Sequence, residues 1–206
     1  MIISHSKKFA FLKTRKTAGS SIQAALSTEC DHLQDIITGS NIKNKILDES
    51  HSAGWNMDKF FTNHPHPPVE HVKQYLNNKW EDYFKFAFVR NPFDIAVSRY
   101  HWDIKGKGKK PTSKEGFNEW VKNYHKTAWQ DEQWRYICID GDIELDFIGR
   151  YETLQEDFDY VCEKVGLPKT KLPHTNKSIN KRGRAYEQKI INTSYQLLKQ
   201  QENKNE

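Results

Sequence analysis

Phe9-Ala10-Phe11-Leu12 runs into Lys13-Thr14-Arg15-Lys16-Thr17-Ala18-Gly19, and Ser20-Ser21-Ile22-Gln23-Ala24-Ala25-Leu26 follows. A short apolar run, a polar loop and then apolar positions at helical spacing predict strand, loop and helix in direct succession. Backbone N–H groups at a helix N-terminus favour an anion, and here Gly19 lets the backbone approach closely. Lys16 adds a charge and Thr17, Ser20 and Ser21 add hydroxyl donors, so residues 16–21 have the make-up of a phosphate cradle. The loop is not GxxxxGK[ST], because it lacks the first Gly and its Lys precedes Gly19. Taken alone, it also fits an ordinary capped turn with a surface lysine.

Working outward, residues 84–89, Phe-Lys-Phe-Ala-Phe-Val, are apolar enough for an interior strand of a parallel sheet. Asn91 and Pro92 then suit the N-cap and first position of a helix that Ile95, Ala96, Arg99 and Tyr100 continue. Helical spacing precedes that strand over residues 69–80. Residues 105–110, KGKGKK, read as a flexible basic loop, and residues 117–124 and 134–139 as helical. Residues 147–151 suit another buried strand and 154–165 the helix after it, closed by Gly166 with Pro168 beyond. A final helix is expected over 186–200, with a frayed tail from about residue 200. Residues 29–68 show no clean periodicity, and no repeat is visible. Strand and helix in alternation predict an α/β fold: a P-loop-like parallel sheet flanked by helices on both faces, in a single domain over 1–206.

Composition narrows the function. With 206 residues the chain can bury one sizeable core, and 32 Lys and Arg against 27 Asp and Glu give a formal charge of only +5. That modest excess suits an anionic small ligand better than a nucleic acid. Cys30, Cys138 and Cys162 form no CxxC pair, so neither a zinc site nor a disulfide framework is suggested. The N-terminal residues lack signal-peptide character, and no stretch reaches the roughly 20 apolar residues of a membrane helix. A cytoplasmic protein without a membrane partner is expected.

Arg90 stands at the end of the second predicted strand, where a nucleotide kinase would carry a magnesium-holding Asp. A guanidinium there would bind phosphate directly, with Ser98 further along the helix as a second donor. An Arg90–Asp94 ion pair with Ser98 in packing contact is the open alternative.

Together, KTAGSS after a first strand and VRNPFDIAVSRY later in the chain resemble the 5′-phosphosulfate loop and the 3′-phosphate motif of sulfotransferases that use 3′-phosphoadenosine-5′-phosphosulfate (PAPS). The carbohydrate sulfotransferase branch is the most similar, from the first strand through Arg150-Tyr151-Glu152-Thr153-Leu154. The resemblance implies that Lys16 contacts the phosphosulfate bridge and that Thr17, Ala18, Gly19, Ser20 and Ser21 surround the 5′ phosphate. It gives Arg90 and Ser98 the 3′ phosphate. Tyr151 looks like the residue near the adenine in related enzymes, although a core tyrosine fits equally. Lys181-Arg182-Gly183 resembles a basic element closing over the 3′ phosphate, or else a solvated basic loop. Arg15 stands where the family commonly has Pro, and either adds a cofactor contact or faces solvent. PAPS is thus the implied sulfuryl donor and adenosine 3′,5′-bisphosphate the product, with no metal expected.

Sulfuryl transfer still needs a base for the acceptor hydroxyl, and histidine suits neutral pH. Asn63-His64-Pro65-His66-Pro67-Pro68-Val69-Glu70-His71 supplies the candidates: His66 first, then His64, then Glu70. An HxH metal site is the other reading, although no Cys or acidic cluster lies near to complete it. Trp55 and Trp102 are candidates for stacking on a sugar. The acceptor is expected to be a glycan or small molecule; its identity and the oligomeric state do not follow from the residues. A P-loop nucleotide kinase or NTPase and a polyanion-binding module are the competing functions. The first would require ATP with magnesium, the second steeply salt-dependent oligonucleotide binding.

Overall fold

Among the described residues seven strands follow one another: β1 (Ile2–Ser4), β2 (Phe9–Leu12), β3 (Ile36–Ile37), β4 (Phe84–Val89), β5 (Cys138–Ile139), β6 (Asp142–Ile143) and β7 (Phe147–Arg150). The α-helices among the same residues are α1 (Gly19–Ser27), α2 (Val69–Leu76), α3 (Pro92–Gly106), α4 (Lys114–Tyr124) and α5 (Leu154–Lys164). The structure, a computed structural model, describes residues 1–31, 33–38, 61, 66–106, 114–124 and 132–173. Trp55, His64, residues 107–110, Lys181-Arg182-Gly183 and the helix expected over 186–200 lie outside the described residues. Two compact units divide the chain, one drawn from Met1–Val89 and Glu132–Asn176, the other from Arg90–Asp131 and Lys177–Glu206.

The first unit holds a five-stranded sheet in the order β3-β1-β2-β4-β7. β2 pairs parallel with β4, with Leu12 opposite Ala87, and β4 pairs parallel with β7, with Val89 opposite Arg150. The expected strands and their direction are therefore present, but the sheet is mixed rather than parallel throughout. β1 runs antiparallel to β2 and β3 antiparallel to β1. The cause is local: β1 and β2 are joined through a turn at residues 5–8, and so short a link permits only a hairpin.

Alternation along the strands sends side chains to two cores, with helices against both faces. Phe9, Phe11, Phe86 and Phe88 meet Ile22 and Leu26 of α1 and Phe158 and Val161 of α5. Ala10, Leu12 and Ala87 meet Val69, Val72 and Leu76 of α2 on the opposite face. The i, i+3, i+7 spacing of those α2 residues makes one stripe, which is why the segment is a helix lying on a sheet. Each fully buried phenylalanine contributes about 1.5–3 kcal/mol of transfer free energy.

Two close contacts fix details. A Cβ on Gly149 of β7 would lie 2.5 Å from Cε1 of Phe88, so the Phe88 ring occupies the place of a side chain there. At the end of α5 the amide of Leu167 donates to the Cys162 carbonyl at 2.8 Å and that of Gly166 to Glu163 at 3.4 Å. Gly166 has φ +68, the left-handed cap anticipated at this position.

Residues 134–139 depart from the helical expectation. A 3-10 turn over Gln133–Tyr136 gives way to β5, which pairs with β6 in a hairpin. Asp140 and Gly141 form its tip, at φ 51 and 94, so the turn chemistry of an Asp-Gly pair overrides the apolar periodicity.

In the second unit Val97, Tyr100 and Phe117 form the core between α3 and α4, with Trp120 and Val121 packed against it. Asn91 caps α3 as anticipated, its side-chain oxygen accepting from the Phe93 amide at 2.9 Å. α3 continues through residues 105–106, the start of the expected basic loop. No helix among the described residues is long and apolar enough to cross a membrane.

Candidate phosphate loop and its surroundings

The loop between β2 and α1 has an uncommon backbone. Lys16 and Ala18 both have positive φ, 62 and 60, although neither is glycine. Each left-handed residue of this kind costs about 1–2 kcal/mol. Alternation of left-handed residues turns successive N–H groups to one side, the concavity that backbone uses to hold an anion. The concavity runs directly into the first turn of α1, where the Ser21 and Ile22 amides bond back to the Ala18 carbonyl at 2.8 and 3.2 Å.

Two buried hydroxyls hold this shape. Thr14 donates to the carbonyl of Phe88 in β4, and its oxygen lies 2.7 Å from that of Thr17. Since the Thr14 proton goes to Phe88, the Thr17 hydroxyl donates to Thr14. Both residues are 1% exposed. The Thr17 hydroxyl therefore ties the loop to the sheet through Thr14.

Gly19 is needed for a reason other than ligand approach. A Cβ there would fall 2.7 Å from Cγ and 3.1 Å from Cε of Lys13, whose stem passes beneath it. Lys13 is buried, and its ammonium donates to Oε1 of Gln23 at 2.8 Å. Gln23 in turn donates to the Thr38 carbonyl at 2.9 Å. Burial pushes the Lys13 ammonium down to about 8. Beside Lys16, Arg15 is half-buried, and its Nε is shielded from solvent with no hydrogen-bond partner among the described residues. A buried donor of this kind is costly until an acceptor reaches it.

His66 is the sequence candidate that the fold brings to this loop. Its Nδ1 lies 2.8 Å from the Lys13 carbonyl. A carbonyl only accepts, so Nδ1 carries the proton and Nε2 is left with the lone pair. Burial holds the ring down to about 3, with the cations Lys13 and Arg15 acting in the same direction and the Lys13 carbonyl opposing. Glu70, the third candidate, is exposed in the first turn of α2.

β4 and β7 end beside one another, the Tyr151 amide donating to the Val89 carbonyl at 2.8 Å. Tyr151 is half-buried. Asp157 of α5 fastens this end by accepting from the Arg150 amide at 2.6 Å and the Thr153 hydroxyl at 2.8 Å. Arg90 follows Val89 in the chain and opens the second unit. Its Nε lies 4.0 Å from the Asp94 carboxylate, the outer limit of an ion pair. Ser98 is four residues beyond Asp94 and shares its face of α3. Trp102 of the same helix is exposed.

Thr14, Lys13 and Gln23 were not singled out by the sequence reading. A lysine that follows the last apolar residue of a strand and opens a polar loop reads as surface, and only the tertiary structure buries it. Among the described residues no group of three or more His, Cys, Asp or Glu gathers to hold a metal ion.

Comparison with known proteins gives the same direction. The chain is 26% identical over 124 residues to carbohydrate sulfotransferase 11 of Mus musculus, covering 45% of this chain and 35% of that protein. It is 30% identical over 131 residues to carbohydrate sulfotransferase 14 of Danio rerio, covering 50% of this chain and 34% of that one. An uncharacterized protein of Archaeoglobus fulgidus is 36% identical over 90 residues, 43% of this chain and 72% of its own length. The chain thus aligns with about a third of the length of the two carbohydrate sulfotransferases. No solved structure matches it. A family model described as "Sulfotransferase family" matches residues 1–204, and the chain belongs to that family, close to the carbohydrate sulfotransferases.

Proposed function

We propose that this protein transfers a sulfuryl group from PAPS to a hydroxyl of a carbohydrate or related small molecule. The observation that carries the reading is the loop itself: left-handed Lys16 and Ala18, and the buried Arg15 Nε with no acceptor among the described residues. Strain and an unsatisfied donor at one loop make sense where an anion supplies the compensation. A phosphosulfate fits that donor set.

In this reading the amides of residues 16–20 and the Arg15 guanidinium hold the 5′ phosphosulfate. Arg90 and Ser98 hold the 3′ phosphate, and Tyr151 lies at the adenine. PAPS supplies an activated sulfuryl group, and adenosine 3′,5′-bisphosphate is what remains. Lys16 stabilises negative charge on the bridging oxygen, the electrostatic work expected of a preorganised cation. His66 accepts the acceptor's proton at Nε2 while the Lys13 carbonyl keeps the ring in the tautomer that can do so. An anion in the loop offsets the surrounding cations and so raises the ring's basicity. The exposed indole of Trp102 suits stacking on a sugar.

Thermal denaturation with adenosine 3′,5′-bisphosphate tests the reading. At a hundredfold excess over Kd, linkage gives about 2.7 kcal/mol of stabilisation. For a chain of this size that is a rise of roughly 5–10 °C in Tm. Lys16→Ala and Arg90→Ala should abolish it. No rise in wild type, or a rise only with ATP and magnesium, would refute the assignment.

A further inference from the structure

Beneath the phosphate loop lies a charge that the mechanism above does not use. Lys13 is 5% exposed, and no carboxylate among the described residues makes an ion pair with it; its ammonium is met by the neutral carboxamide of Gln23. A buried ammonium without a counter-ion is expensive, and such lysines are ordinarily paired or replaced by apolar residues. Its location is informative. The stem fills the space under Gly19, the first residue of α1, and the carbonyl of the same residue holds the His66 ring. One residue thus supports the floor of the anion loop, orients the candidate base, and brings to both a positive charge that no carboxylate among the described residues pairs.

We propose that Lys13 is a positioning residue of the sulfuryl-transfer site: a cation sealed under the loop whose counter-ion is the bound phosphosulfate nucleotide. This rests on the PAPS reading. Its physical content is a coupling between proton and ligand. A buried ammonium that loses its proton near pH 8 when the loop is empty keeps it to higher pH when an anion lies above it. Nucleotide binding is therefore strongest below pH 8 and weakens as pH rises through that value, with a proton taken up on binding.

Among the described residues, the groups facing Lys13 leave this window to it. Gln23 on α1 does not titrate. The Met1 amino group beside β1 is held well below the usual amino-terminal value by burial and by Lys13 itself. The His66 ring is held down to about 3, and Arg15 is the remaining cation that acts on that ring.

Isothermal titration of wild-type protein with adenosine 3′,5′-bisphosphate from pH 7.5 to 9.5, in two buffers of different ionisation enthalpy, reads both quantities. Wild type should lose roughly tenfold or more in affinity across the range and take up a fraction of a proton near pH 8.5. Lys13→Met keeps the stem under Gly19 and removes the charge. It should bind at least tenfold more weakly at pH 7.5, with no pH limb and no proton uptake. A Lys13→Met protein that binds weakly but keeps the wild-type slope and proton uptake would overturn the inference, as would one that binds normally. Should circular dichroism show Lys13→Met to be unfolded, Gln23→Glu decides. A carboxylate beside the ammonium should move the limb to higher pH and weaken binding at pH 7.5, and an unmoved limb overturns the inference. Wild type that binds no nucleotide removes the PAPS reading and this inference together, whereas wild type that binds and Lys16→Ala that does not leave Lys13 to be judged on its own variants.

Discussion

Replacing Thr14 by valine tests whether the loop hangs from the sheet through its hydroxyls. Thr14 is 1% exposed, donates to the Phe88 carbonyl and accepts from Thr17. Valine keeps the shape and removes both bonds. The Thr17 hydroxyl is left with the longer contact to the Thr14 carbonyl at 3.3 Å, so the loss falls on both bonds. A buried hydrogen bond contributes about 0.5–1.5 kcal/mol net, and stranding a buried partner costs about 1–3 kcal/mol. Together these suggest roughly 2 kcal/mol for Thr14→Val, or a Tm fall of about 4–8 °C. Thr17→Val leaves the Phe88 bond intact and should cost about 1 kcal/mol. Because the hydroxyls share one bond, the double variant should cost about 1 kcal/mol less than the sum of the singles. Urea denaturation of the four proteins measures the cycle, with Thr14→Ser as the control that keeps the hydroxyl and most of the stability. Additive single effects, or Thr14→Val within about 0.5 kcal/mol of wild type, would refute the strut.

Two further outcomes follow from the same region. Ala18→Gly relieves a left-handed residue at the start of α1 and, after the extra entropy of an unfolded glycine, should raise stability by about 0.5–1 kcal/mol; Ala18→Val should lower it, and thermal melts compare them. His66 has its folded-state proton affinity held down to about 3, below the ordinary 6.5, so the unfolded chain protonates first. Stability contributed by the neutral ring is present above about pH 6.5 and is lost progressively as pH falls from there towards 3. Melting temperatures of wild type and His66→Gln between pH 7 and 4.5 should therefore converge, and parallel curves would count against a buried neutral ring.

What the sequence disclosed depended on how locally each feature is encoded. Residues 84–89 appear as β4 with the expected bounds because a short run that is apolar at every position but Lys85 suits an interior strand. Asn91 and Gly166 were legible because caps are short-range chemistry, and the start of α1 because helical apolar spacing begins there. β1 and β3 were not, since three and two residues carry too little periodicity and their pairing is decided by neighbours. The β5–β6 hairpin carried its signal in Asp140-Gly141, but apolar spacing over 134–139 pointed elsewhere. In the candidate site the loop was recognisable by composition, and so was His66. The left-handed backbone at Lys16 and Ala18, and the burial of Lys13, arise only once β4 and α1 are packed against the loop.

The contact between Gly149 and Phe88 reaches further than its own strand pair. The ring that sits where a Gly149 side chain would go belongs to the residue whose carbonyl anchors Thr14. A methyl at position 149 must push that ring away, and the disturbance arrives at the β2–α1 loop through a single peptide unit. Loss of nucleotide affinity in such a variant would be a remote mechanical effect, and residues far from any ligand would then belong among those that tune it.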